Sequence, residues 1–189
     1  VKDPYAKAYM GNETYGRREE VLGVYQTGSF DWEEDTNPGI PYEDCFVYLL
    51  HVRGFTKHAS SKVKAKGTYK GIVEKIEYLK ELGVTTLELQ PAYEFDETVG
   101  KYWGYCPGNY YSPKNSYSYC GDGVKEFKQM IKALHARGLE VVMQFFFPEN
   151  ISEWDVLEIL SHWICEYHVD GFHIKAGHLN VERLKDAPV

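Results

Sequence analysis

The side chains able to do chemistry in this chain stand at the ends of apolar, strand-forming runs. Gly171-Phe172-His173-Ile174-Lys175 sets an imidazole and an ammonium two residues apart, on one face of an extended chain, and Gln144-Phe145-Phe146-Phe147-Pro148-Glu149 sets an amide and a carboxylate around an aromatic stretch. A lysine beside a carboxylate can shift its pKa and act as a base or a Schiff-base amine. An ion pair among Lys175, His173 and Glu149 is the simpler reading, because nothing else in the sequence specifies a second chemistry. Trp103, Tyr105 and Tyr110 crowd one loop, where they either pack over the ends of strands or offer ring faces to a ligand. His162 and His168 lack a third ligand at metal spacing, so neither a metal nor a cofactor is expected. Glu74, Lys75, Glu77, Lys80 and Glu81 read as a solvated helix face.

The elements that position these residues follow from periodicity. Residues 1–43 hold turn formers and charge and read as an irregular lead-in, and residues 44–189 form the second unit. Cys45 to Val52 is a continuous apolar run, as expected for a strand covered on both faces in a parallel sheet. Gly71 to Leu82 has Ile72, Ile76 and Leu79 at helical spacing, closed by Gly83. The unit repeats as strand Val84–Leu89, aromatic loop and helix Val124–Arg137 stopped by Gly138. It repeats again as strand Leu139–Phe147 and helix Ser152–Tyr167, whose apolar face holds Val156, Leu157, Ile159, Leu160 and Ile164. Val169 to Ile174 begins a fourth strand. Four β/α units in series give an α/β chain with a parallel sheet, and no glycine-rich phosphate-binding loop follows any strand. A closed barrel is favoured, and since eight units take about 250 residues, this is half of a TIM-type (β/α)8 barrel.

Composition bounds the partners. The 189 residues are 43% hydrophobic and 15% aromatic, enough for a sizeable core. A net charge of −7 leaves no basic field for nucleic acid. No stretch reaches the roughly 18 apolar residues of a membrane span. Cys45, Cys106, Cys120 and Cys165 lack zinc spacing and read as reduced thiols of a cytoplasmic protein, with an exported alternative left open by the loop between Cys106 and Cys120.

Tyr48-Leu-Leu-His-Val-Arg-Gly-Phe-Thr56, Gly67-Thr-Tyr-Lys-Gly71 and Tyr78-Leu-Lys-Glu-Leu-Gly-Val84 closely resemble the first barrel units of isoamylases, type I pullulanases and glycogen debranching enzymes, members of glycoside hydrolase family 13. Matches continue through Leu87-Glu-Leu-Gln-Pro91, Tyr102-Trp-Gly-Tyr105, Asn109-Tyr-Tyr-Ser-Pro113, His135-Ala-Arg-Gly-Leu-Glu-Val-Val142 and Glu166-Tyr-His-Val-Asp-Gly-Phe172. The resemblance implies an α-glucan or maltooligosaccharide as ligand and Tyr105 as the ring that stacks on the sugar beside the scissile bond, with Trp103 and Tyr110 in the same loop.

It also implies what is missing. Retaining hydrolysis needs two carboxyl groups about 5 to 5.5 Å apart, placed in barrels at the C-terminal ends of strands. The family's fourth strand reads like Gly-Phe-Arg-Phe-Asp, ending in the nucleophile; here Lys175 takes the nucleophile position and His173 that of the arginine. An ammonium cannot form the glycosyl ester and opposes an oxocarbenium-like transition state. In the third strand the family's Asp-Val-Val-Tyr-Asn-His becomes Gln144 through Glu149, with Gln144 for the aspartate, Glu149 for the histidine, and a very short loop to the next helix. His51 and Arg53 read as structural hydrogen-bonders.

The expectation is a degenerate debranching-enzyme-like barrel without hydrolytic activity, whose end after the fourth strand reflects a split or truncated parent. The alternatives are a parent that remains an active glycosidase by an altered mechanism, and a non-enzymatic half barrel that pairs with a second copy or with the carboxy-terminal half.

Overall fold

The computed structural model describes residues 3–174 and 179–180. In chain order the strands are β1 (Tyr9–Met10), β2 (Leu22–Gly23), β3 (Val47–Leu50), β4 (Thr86–Leu89), β5 (Tyr93–Glu94), β6 (Asn109–Pro113), β7 (Glu140–Phe145) and β8 (Gly171–Ile174). The helices are α1 (Val52–Lys57), α2 (Tyr69–Val73), α3 (Ile76–Glu81), α4 (Gly123–His135) and α5 (Glu153–Tyr167). Strands β3-β4-β7-β8 form one parallel sheet in that order, with helical segments between successive strands. This is the first four-strand half of a (β/α)8 barrel.

Alternation divides the sheet into two faces. Leu50, Leu87, Leu89, Val141, Met143 and Phe145 are buried on the outer face against the helices. Phe127, Met130, Ile131 and Leu134 come from α4, and Val156, Ile159, Trp163 and Tyr167 from α5. Trp163 is the centre of this layer: its ring lies 4.6 Å from Tyr167, 5.3 Å from Phe127 and 5.8 Å from Phe145, and its indole N–H donates to the Tyr110 carbonyl at 2.7 Å. The inner face is open on β3, where Val47 and Leu49 are 48% and 51% exposed. The expectation of a strand covered on both faces is corrected there, because among the described residues only the helical layer covers this sheet.

Caps set the helix ends. Asp122 accepts from the Lys125 N–H at 3.0 Å and Ser152 from the Asp155 N–H at 3.0 Å, while Gly138 ends the α4 turn at φ +65°. The first strand is shorter than its apolar run because His51 turns to cap α1, its Nδ1 accepting from the Gly54 N–H at 2.9 Å. Val52, expected in the strand, therefore opens a helix. The helix expected over 71–82 is two pieces, α2 and α3, broken at Glu74 and Lys75. Glu74 is not a plain solvated residue: its carboxylate accepts from the N–H groups of Lys64 and Ala65 at 2.8 and 2.9 Å, and these bonds hold it below the usual carboxylate range.

The lead-in is fastened down rather than loose. β1 and β2 pair antiparallel, and Arg18 reaches Glu94 and the Phe95 carbonyl, both at 2.8 Å. Glu94 is fully buried and also accepts from the Asn115 N–H at 2.9 Å, while buried Lys114 pairs with Glu97 at 2.7 Å. All four cysteines are unpaired, and burial raises the Cys106 thiol above its ordinary value.

Trp163→Ala should cost about 3–5 kcal/mol, the range for emptying a fully buried aromatic site. Urea denaturation of the chain measures it; a loss below about 1 kcal/mol would mean that the layer between sheet and helices is not the main core.

Candidate functional site

The C-terminal ends of the four parallel strands form a mouth in which sequence-distant polar groups meet. Inner-face residues share layers through the register: Leu49 pairs with Glu88, Glu88 with Val142, Val142 with Gly171, and Gln144 with His173. At the rim, the Tyr105 hydroxyl donates to Gln144 Oε1 and accepts from Gln90 Nε2 at 3.3 Å. Gln144 Nε2 donates to Glu88 Oε1, and His173 Nδ1 lies 2.6 Å from that same oxygen. A carboxylate opposite Nδ1 requires the proton on that nitrogen, so the 3.4 Å approach of Gln144 Nε2 to it sets donor against donor.

Each predicted residue among the described ones has a definite place. Tyr105 and Trp103 are exposed, at 42% and 56%, on the loop beside this network. Tyr110, expected in the same role, is half-buried: its ring packs 4.9 Å from Tyr93 and 5.1 Å from Phe147, its hydroxyl donates to the Phe146 carbonyl at 2.9 Å, and burial pushes its pKa up to about 12. That is a packing position. Gln144 is buried at the floor of the mouth, and the His173 side chain is exposed. The expected ion pair of Lys175, His173 and Glu149 needs correction in one member: the carboxylate on His173 is Glu88, while Glu149 sits exposed in the turn after β7. Lys175 lies outside the described residues.

His51 is buried beneath the aromatic loop, stacked on Tyr102 at 4.5 Å, with Nε2 at 3.0 Å from the Tyr102 carbonyl and 3.1 Å from the Tyr117 hydroxyl. Burial, with Arg53 and Lys114 nearby, lowers its pKa, and the Gly54 N–H at Nδ1 selects the Nε2–H tautomer. It therefore supports the loop as a neutral ring. Arg53 stacks its guanidinium 4.2 Å over Tyr15. His162 meets the Tyr111 carbonyl at 2.9 Å, and among the described residues no group of three His, Cys, Asp or Glu is set to hold a metal.

Glu88 and Gln90 are the site residues that motif reading passed over. Their signal was alternation: Thr86, Glu88 and Gln90 share one face of an otherwise apolar run. Chemically, the mouth presents ring faces, a hydroxyl, an amide and an imidazole–carboxylate pair. Gln144 and His173 both engage the same oxygen, Oε1, of Glu88.

The family description "Alpha amylase, catalytic domain" matches residues 53–155, just over half of the chain. The chain belongs to the α-amylase catalytic-domain family. Isoamylase 1 of Oryza sativa subsp. japonica, a chloroplastic protein, is 39% identical over 183 residues covering 85% of this chain and 23% of that protein. Isoamylase 1 of Arabidopsis thaliana, also chloroplastic, is 30% identical over 250 residues covering 93% of this chain and 31% of that protein. That alignment is longer than the whole 189-residue chain, so the relative carries segments lacking here. The crystal structure of pullulanase type I from Bacillus subtilis str. 168, complexed with maltose, matches with a TM-score of 0.78 at 25% identity, over 97% of this chain and 34% of that one. The chain is thus a debranching-enzyme-like α-amylase-family domain and spans a quarter to a third of the curated relatives' length.

The loop carrying the rings depends on Gly104. It has φ +78°, and a Cβ there would stand 2.6 Å from the Phe95 ring and 2.8 Å from Pro91. Gly104→Ala should destabilise the chain by about 1–2 kcal/mol from the left-handed conformation alone, with more from the clash, read as a lower Tm. An unchanged Tm would mean that the loop is not seated on Phe95.

Proposed function

We propose that the mouth binds α-glucan chains through Trp103 and Tyr105 and that this chain does not hydrolyse them. The observation that carries the reading is the pair of exposed rings, Trp103 and Tyr105, at the strand ends beside the Gln144–Glu88–His173 network. Aromatic faces suit the apolar C–H surface of a pyranose, and the amide, hydroxyl and imidazole around them suit its hydroxyls. The maltose complex of the Bacillus subtilis pullulanase supports this ligand class. Against hydrolysis stand Lys175 in place of the family's aspartate nucleophile and Gln144 in place of a second aspartate.

Titration of maltoheptaose into the chain should give saturable heat, and Tyr105→Ala should weaken binding by about 0.5–1.5 kcal/mol, the worth of one ring contact. No reducing sugar should appear from pullulan, glycogen or amylose. Silence in both proteins would sink the glucan reading, and sugar release abolished by Lys175→Ala would sink the inactive one.

A second reading rests on the open inner face. Val47 and Leu49, half-exposed beside the unpaired edge of β3, suit pairing with a second half barrel, either another copy or a carboxy-terminal half. Light scattering at micromolar concentration should then report a dimer that Leu49→Asp returns to monomer. A monodisperse monomer for the unaltered chain removes the self-pairing version.

A further inference from the structure

The opposite end of the sheet carries a buried charge cluster that the mouth does not use. His135, at the end of α4, sits between two carboxylates: its Nδ1 is 3.1 and 3.2 Å from the Asp35 oxygens and its Nε2 is 2.9 Å from Asp170 Oδ2. All three side chains are at most 3% exposed. Asp35 also takes His168 Nδ1 at 2.6 Å, and Asp170 Oδ2 accepts from the Val141 N–H at the start of β7. Asp170 Oδ1 has no hydrogen-bond partner among the described residues, so that carboxylate relies on one oxygen and the charge beside it. Asp35 belongs to the lead-in; His135, Asp170 and His168 belong to the underside of the barrel.

The same stretch of lead-in is held at further points. Trp32 stacks on the His168 ring at 3.8 Å, and Lys132 of α4 reaches Glu33 at 2.8 Å and the Asp31 carbonyl at 3.1 Å. The Ile40 N–H donates to Glu140 at 2.8 Å. Arg137, the remaining charge near the end of α4, is turned away to Glu77, and Glu166 of α5 is taken by Lys128.

A neutral imidazole has one N–H and one lone pair, and a carboxylate can only accept. With carboxylates at both nitrogens, the neutral ring must aim its lone pair at one of them among buried side chains, where an unpaired charge is costly. Only the imidazolium satisfies both sides. We propose that Asp35, His135 and Asp170 form a proton-operated latch, closed while His135 is an imidazolium, that fastens lead-in residues 31–40 beneath the barrel and releases them when the proton is lost. Burial, the largest single influence, lowers the His135 pKa, but the hydrogen bonds and charges of Asp170 and Asp35 outweigh it and the net direction is upward. A raised folded value stabilises fully below the ordinary histidine range and loses that contribution as pH rises through the folded value. The latch therefore opens on the alkaline side. Each pKa unit of elevation corresponds to about a tenfold change in the closed-to-open ratio.

The test follows ring nitrogens and lead-in amides in the full chain from about pH 6 to about pH 9. Nitrogen-15 spectra should show both His135 nitrogens protonated at neutral pH, and hydrogen exchange of residues 31–40, corrected for intrinsic pH dependence, should accelerate as they deprotonate. His135→Gln should abolish that pH step, whereas His168→Gln should keep it. A bare ring nitrogen on His135 at neutral pH in the unaltered chain overturns the latch, and needs no variant to fold. So does a step that survives His135→Gln or disappears only in His168→Gln, which would assign it to the more exposed imidazole.

Discussion

Everything at the mouth depends on the parallel register of β3, β4, β7 and β8. In a parallel ladder, residues side by side point the same way, so the pairing of Gln144 with His173 and of Glu88 with Val142 decides which side chains can meet. A slip of one residue would turn Glu88 and Gln144 into the layer held by Leu87, Leu89, Met143 and Phe145 and expose those apolar groups instead. Burial of the outer face therefore fixes the chemistry of the inner one. The hydrophobic layer around Trp163 specifies the register, and the register assembles the polar network; neither Tyr105 nor His173 has to find its partners by its own affinity.

Much of this was legible in the residues. The four apolar runs and the glycines at 83 and 138 each carry a local signal whose physics is confined to a few neighbours. What escaped was non-local. The carboxylate of Glu88 meets His173 across 85 positions, and Asp35 meets His135 across 100. No periodicity encodes such pairs; they follow from strand order and loop path. The split of the expected helix at Glu74 has the same origin, since the N–H groups that Glu74 accepts belong to the preceding loop. Tyr110 shows the limit of reading side chains by type, because the ring that looked like a ligand platform is consumed by Tyr93 and Phe147.

The substitutions at the mouth also read differently together than singly. Where the family resemblance implies an aspartate and an arginine, this chain has Gln144 and His173, and the two close on Glu88 through one donor each. The partly buried carboxylate on β4 is thereby paired, with solvent still reaching the imidazole side. A mouth whose polar atoms are bonded to one another is stable without a ligand, and a sugar entering it must compete with those bonds. That favours binding through the two exposed rings over binding through the network.

Charge is managed in opposite ways at the two ends of the sheet. At the mouth the imidazole is exposed and meets one carboxylate, so solvent screens the pair. Beneath the barrel the imidazole is buried between two carboxylates, and the proton it carries is part of what joins the lead-in to the sheet. The two sites lie at opposite ends of the same strands, separated by apolar layers without shared partners, so perturbations at one should add to those at the other rather than couple. An evolving chain could therefore lose carboxylates at the mouth without loosening the underside. In physical terms, a sequence can thus carry barrel signals such as Gly138 and Asp170 while the polar groups at its mouth vary.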